Sequence, residues 1–89
     1  MLFTEGQINT AGYRFLGEGR VDEAIRLFEF NTELFPDSWN TWDSLGEGLM
    51  TAGRYDEAIA RYERSLQVNP SNENGVRMLE RIRKLKKDE

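Results

Sequence analysis

The 89-residue chain is long enough for one small domain with a modest core, and it carries a net charge of −4. It has neither cysteine nor histidine, which excludes disulfides, thiolate zinc sites, Cys–His or Ser–His–Asp catalysis and the commonest general base. A composition of 38% hydrophobic and 31% charged residues, with no membrane-length apolar run and no leader-like start, predicts a soluble, cytoplasmic, non-enzymatic chain that needs no cofactor and no membrane.

The first predicted helix opens at Thr4, three residues before Gln7, which is capping-box spacing. Ile8, Ala11, Phe15 and Leu16 then share one face, and Gly17 and Gly19 mark its end. Asp22 and Glu23 suit the first turn of a second helix, where acids complement the macrodipole. That helix carries Ala24, Leu27, Phe28 and Leu34 at core spacing, until Pro36 blocks its continuation. Asp37 or Ser38 can cap a third helix bearing Trp42, Leu45, Leu49 and Met50 and ending at Gly53. Asp56 and Glu57 open a fourth, lined by Ala58, Tyr62, Leu66 and Val68 and followed by the turn Asn69–Asn72. A fifth helix, residues 73–86, has Val76, Leu79 and Ile82 on one stripe but no partner helix after it, so it reads as a lid.

Charge is segregated along this order. Met1–Asn72 holds twelve acids and six arginines, a balance of −6, whereas Glu73–Glu89 holds six bases and four acids, a balance of +2. The acidic body argues against nucleic-acid binding, whose affinity comes from neutralising phosphates.

Sliding the sequence against itself by 34 positions aligns residues 5–38 with 39–72 without a gap. Gly12 meets Gly46, Gly19 meets Gly53, Asp22-Glu23-Ala24-Ile25 meets Asp56-Glu57-Ala58-Ile59, and Pro36 meets Pro70. Phe28 falls on Tyr62 and Phe15 on Leu49. A fixed period with this pattern predicts a repeat architecture: all-α, two helix-turn-helix units plus a capping helix, one domain over 1–89.

These residues resemble the tetratricopeptide repeat. The second unit matches through Trp42, Leu45, Gly46, Gly53, Tyr55, Ala58, Tyr62, Ser65 and Pro70; the first through Ile8, Ala11, Gly12, Gly19, Ala24, Phe28 and Pro36. The resemblance implies an α-solenoid that binds a protein or peptide and performs no chemistry. In it, glycine and alanine let the two helices of a hairpin approach closely, and Trp42 and Tyr62 fill the core between hairpins. A narrower resemblance, in residues 22–47, is to the C-terminal repeat tail of bacterial β-lactamase-like and esterase-like serine hydrolases. It implies an accessory segment of such an enzyme, although none of their catalytic motifs is present.

The family's concave groove is formed by the first helix of each unit. The resemblance places Asn9, Tyr13, Leu16, Asn40, Asp43, Glu47, Met50, Asn74, Arg77 and Arg81 on it. Asp43 and Glu47 repel a carboxylate, so clamping of a peptide C-terminus is expected to be absent. Those acids are expected on a solvated face, paired with Arg77 or Arg81, or else facing a basic or neutral peptide. Phe30 and Phe35 stand where the family is usually polar, Trp39 opens the second unit and Phe3 precedes the first helix; clustered and exposed, they would form an apolar interface, or else Phe30, Phe35 and Trp39 cover the inter-hairpin loop and are mostly buried. With only two units and a lid, a homodimer is one way to cover it. Asn31, aligned with the small Ser65, is expected to satisfy its amide on a neighbouring backbone group or on the Trp42 indole.

Overall fold

The computed structural model describes residues 3–88. Five helices follow in order: α1 (Glu5–Gly17), α2 (Val21–Leu34), α3 (Trp39–Thr51), α4 (Tyr55–Val68) and α5 (Glu73–Lys87). Among the described residues there is no strand, and both 34-residue units fold as helical hairpins, as the repeat predicts. The lid runs one residue past the expected Lys86.

Local chemistry sets these boundaries. Thr4 accepts from the Gln7 N–H while the Gln7 side chain accepts from the Thr4 N–H, closing the expected capping box. The two hairpin turns are copies of each other. Arg20 N donates to Phe15 O at 2.9 Å and Gly19 N to Leu16 O at 3.1 Å; Arg54 N donates to Leu49 O at 2.9 Å and Gly53 N to Met50 O at 3.0 Å. This double bond pattern needs a left-handed residue after the cap, and Gly19 (φ 78°) and Gly53 (φ 77°) supply it. A side chain at either position would strain the turn.

Neither α2 nor α4 has a side-chain cap. Instead Arg54 grips Glu57 through two hydrogen bonds of 2.6 and 2.9 Å, and Arg20 pairs with Glu23. Ser38 occupies the cap position of α3, but its side chain does not cap; the hydroxyl donates to Glu5 Oε1 at 2.6 Å, tying the residue before α3 to the start of α1. Asn72 caps α5, its Oδ1 accepting from Gly75 N at 3.3 Å.

Close approach within each hairpin depends on missing side chains. A Cβ on Gly12 would overlap the Phe28 ring, and one on Gly46 would lie 2.8 Å from the Tyr62 ring. Ala24, Phe28, Ala58, Tyr62 and Ile82 are fully buried, and Ile25, Leu45, Leu49 and Leu79 complete a continuous core. Helices pack in sequence, α1 on α2, α2 on α3, α3 on α4 and α4 on α5. The result is a slab of 42 × 30 × 16 Å.

Trp42 departs from expectation. Rather than filling the core, it is only half buried. Its indole N–H donates to Pro36 O at 2.8 Å, and the guanidinium groups of Arg61 and Arg64 lie 5.8 and 5.7 Å from the ring centroid. The two arginines of α4 cover the ring by cation–π attraction, so it needs no hydrophobic partner above it.

Candidate functional site

The period of 34 residues places positions of α1, α3 and α5 in register, giving four rows: Gly6–Asn40–Asn74, Asn9–Asp43–Arg77, Tyr13–Glu47–Arg81 and Leu16–Met50–Lys84. The candidate groove residues fall on these rows, and several are already engaged with one another. Tyr13 Oη donates to Glu47 Oε1 at 2.9 Å, joining α1 to α3. Asn9 Oδ1 accepts from Ser44 Oγ at 2.6 Å across the same pair of helices.

Asp43 is not on a solvated face, contrary to expectation. It is 6% exposed. Its carboxylate accepts from Asn72 Nδ2 at 2.8 Å and from Asn74 Nδ2 at 3.0 and 3.2 Å. The partners are the amides at the start of α5 rather than Arg77 or Arg81, because the cap turn brings Asn72 and Asn74 over the middle of α3. Asn72 Nδ2 also donates to Ser65 Oγ at 2.9 Å, and Ser65 Oγ donates to Trp39 O at 2.9 Å. One polar network therefore fastens α3, α4 and the lid.

Asn31 repeats the Ser65 contact in the first unit. Its Nδ2 donates to Glu5 O at 3.1 Å, and Glu5 aligns with Trp39. The expected backbone partner is found, and the Trp42 indole is engaged elsewhere. Asn31 Oδ1 has no hydrogen-bond partner.

On the four rows, Leu16, Asn40 and Met50 are half buried, and Arg77 and Arg81 are exposed four residues apart on α5. Neither arginine makes an ion pair among the described residues, whose bridges are Arg14–Glu18, Arg20–Glu18, Arg20–Glu23, Arg54–Glu57 and Lys86–Asp56. The α5 end of this face thus presents exposed cations without ion-pair partners among the described residues.

Burial raises the Tyr13 hydroxyl well above the ordinary tyrosine range, and the negative charge of Glu47 reinforces the effect. Burial does the same for Tyr62, with Asp43 adding to it. The sign follows from linkage. Below about pH 10 both states keep their protons, whereas above it only the unfolded chain ionises, so stability falls as pH rises. In an alkaline titration, phenolate absorbance from Tyr13 and Tyr62 is expected to appear together with loss of helical circular dichroism. Ionisation of all three tyrosines with helicity intact would contradict this.

The candidate apolar interface is divided. Phe3 and Phe30, 59% and 46% exposed, meet across a hollow of about 370 Å³ lined also by Gln7, Ile8, Ala11 and Leu27. Phe35 follows α2 and Trp39 opens α3, and neither lines it. Phe35 is half buried and Trp39 is 37% exposed.

No cluster of residues suited to hold a metal ion occurs among the described residues, and none of their helices is long and apolar enough to cross a membrane.

A family model described as the tetratricopeptide repeat matches residues 39–72. Over those residues the chain is similar to the tetratricopeptide repeat. The all-helical hairpins and the closing helix conform to that repeat's fold, and the first unit shares its turns and its glycine-to-ring contact. The chain is 34% identical over 55 residues to the small glutamine-rich tetratricopeptide repeat-containing protein 2 of Mycosarcoma maydis, covering 62% of this chain and 16% of that one. It is also 33% and 35% identical over 60 residues to the peroxisomal targeting signal receptors of Candida glabrata and Saccharomyces cerevisiae, covering 67% of this chain and 10% of each receptor. It therefore spans between a tenth and a sixth of the length of these curated relatives.

Proposed function

We propose that the module binds a peptide segment across the α1–α3–α5 face, seating an apolar side chain over Leu16 and Met50 and acidic side chains beside Arg77 and Arg81. The observation that carries this reading is the exposure of two unpaired arginines at one end of the face. The Asp43 and Glu47 oxygens are engaged by Asn72, Asn74 and Tyr13, with Asp43 buried, whereas both arginines are exposed and make no ion pair among the described residues. Two of the similar proteins are described as targeting-signal receptors, a description that accords with segment recognition. An accessory role beside a serine hydrolase rests on the resemblance in residues 22–47 alone.

The test is fluorescence polarisation with synthetic peptides bearing one apolar residue followed by acids. Binding is expected to weaken with salt. The double variant Arg77→Glu, Arg81→Glu should lose about tenfold or more in affinity, from two rim charges each worth about 1 kcal/mol. Equal binding of acidic and basic peptides, or an acidic peptide that fails to bind at millimolar concentration, would overturn the reading.

A further inference from the structure

The two hairpins differ at one place in a way that points to a second copy of the chain. In the second hairpin, Trp42 lies beneath Arg61 and Arg64. Their counterparts 34 residues earlier are Ile8, Leu27 and Phe30, three of the six residues lining the hollow of the first hairpin. The shorter Ile8 leaves open the space that an indole fills in its twin. The cationic rim has also become apolar.

We infer that this hollow is a two-fold interface between copies of the chain, with Phe30 of each copy seated against Ile8, Ala11 and Leu27 of the other. Three features favour a second copy as the occupant. Knob and hole lie on the same patch, since Phe3 and Phe30 project at its edge while Ile8 is buried at its base; an isologous contact needs that self-complementarity. No lining residue is charged, so two chains of net charge −4 meet without opposing like charges at the contact. Finally, Phe3 and Phe30 are two of the four exposed large hydrophobic residues among those described, and one symmetric contact covers both. The open side of the lid is a poor alternative mate. There, α5 presents Glu80 and Arg83 at the positions of Gly46 and Leu49, and both are exposed.

The test uses the repeat itself. The triple variant Ile8→Trp, Leu27→Arg, Phe30→Arg installs the second hairpin's own solution in the first. Sedimentation equilibrium across a concentration series is expected to show a monomer–dimer equilibrium for the wild type. The graft should raise the dimer dissociation constant by about a hundredfold or more, the scale of losing an aromatic anchor. Helical circular dichroism serves as the folding control. Should the graft be poorly folded, Phe30→Arg alone, at a half-exposed position, carries the test. A wild type that stays monomeric at every concentration overturns the proposal, as does a dimer indifferent to either variant. Peptide binding through Arg77 and Arg81 lies on other residues, so its success or failure is read separately.

Discussion

Phe28→Ala is expected to destabilise the chain by about 3–5 kcal/mol, the usual range for removing a buried aromatic ring. Phe28 is fully buried and serves three helices at once. It belongs to α2, its ring occupies the space left by Gly12 on α1, and it lies 3.1 Å from where a Cβ on Gly48 of α3 would stand. Tyr13 meets it edge to face, with ring centroids 5.1 Å apart. Truncation leaves a cavity faced by Gly12 of α1 and Gly48 of α3, which have no side chains to fill it. For a domain of this size the total stability is about 4–13 kcal/mol, so the variant is marginal or unfolded at room temperature. Thermal melting followed by circular dichroism measures it: each kcal/mol lowers Tm by about 4–8 °C in small domains. Phe30→Ala, two residues away and half exposed, is the control and should cost under about 1 kcal/mol when melted at a concentration where the chain is monomeric. Comparable losses from the two variants would show that the close approach at Gly12 is not what holds the first hairpin.

Asp43→Ala is expected to free the lid, at a cost of about 2–3 kcal/mol. Hydrogen bonds to a buried carboxylate are worth more than neutral ones, and their loss leaves donors unsatisfied. Here the orphaned donors are the amides of Asn72 and Asn74. Asn72 is also the cap of α5, so a misplaced Asn72 weakens the start of that helix. Hydrogen exchange distinguishes this from a general loss of stability: α5 amides should lose protection well ahead of those in α1 and α2. Uniform loss along the chain, or unchanged exchange in α5, would contradict the assignment of Asp43 as the fastening of the lid.

Helix positions and turns were legible because the signals that set them are local. The Thr4–Gln7 box, the two left-handed glycines and the prolines act within a few residues of themselves. The glycine-to-ring contacts were legible for another reason: the 34-residue register shows the same small-to-large pairing twice. Trp42 was misplaced because a large aromatic at helical spacing reads as core by default. The corrective signal lay in Arg61 and Arg64, which replace Leu27 and Phe30 in the other unit and turn an apolar setting into a cationic one. Asp43 was misplaced because a carboxylate on a helix reads as solvated unless a partner is in view. Its partners lie 29 and 31 residues away in a turn, and the clustering of asparagines at 69, 72 and 74 was the available hint. The Tyr13–Glu47 bond, 34 residues apart, follows from the repeat itself, since stacking units brings equal positions side by side. Whether neighbouring positions then satisfy each other or stay open to a partner depends on side-chain reach, which spacing alone does not give.

The role assigned to the α1–α3–α5 face is tested most directly by a nuclear magnetic resonance titration of the labelled chain with an acidic peptide. Shifts are expected to concentrate at Leu16, Asn40, Met50, Arg77 and Arg81, and to vanish in the charge-reversed variant. Shifts confined to α2 and α4, or spread evenly over the surface, would contradict the account.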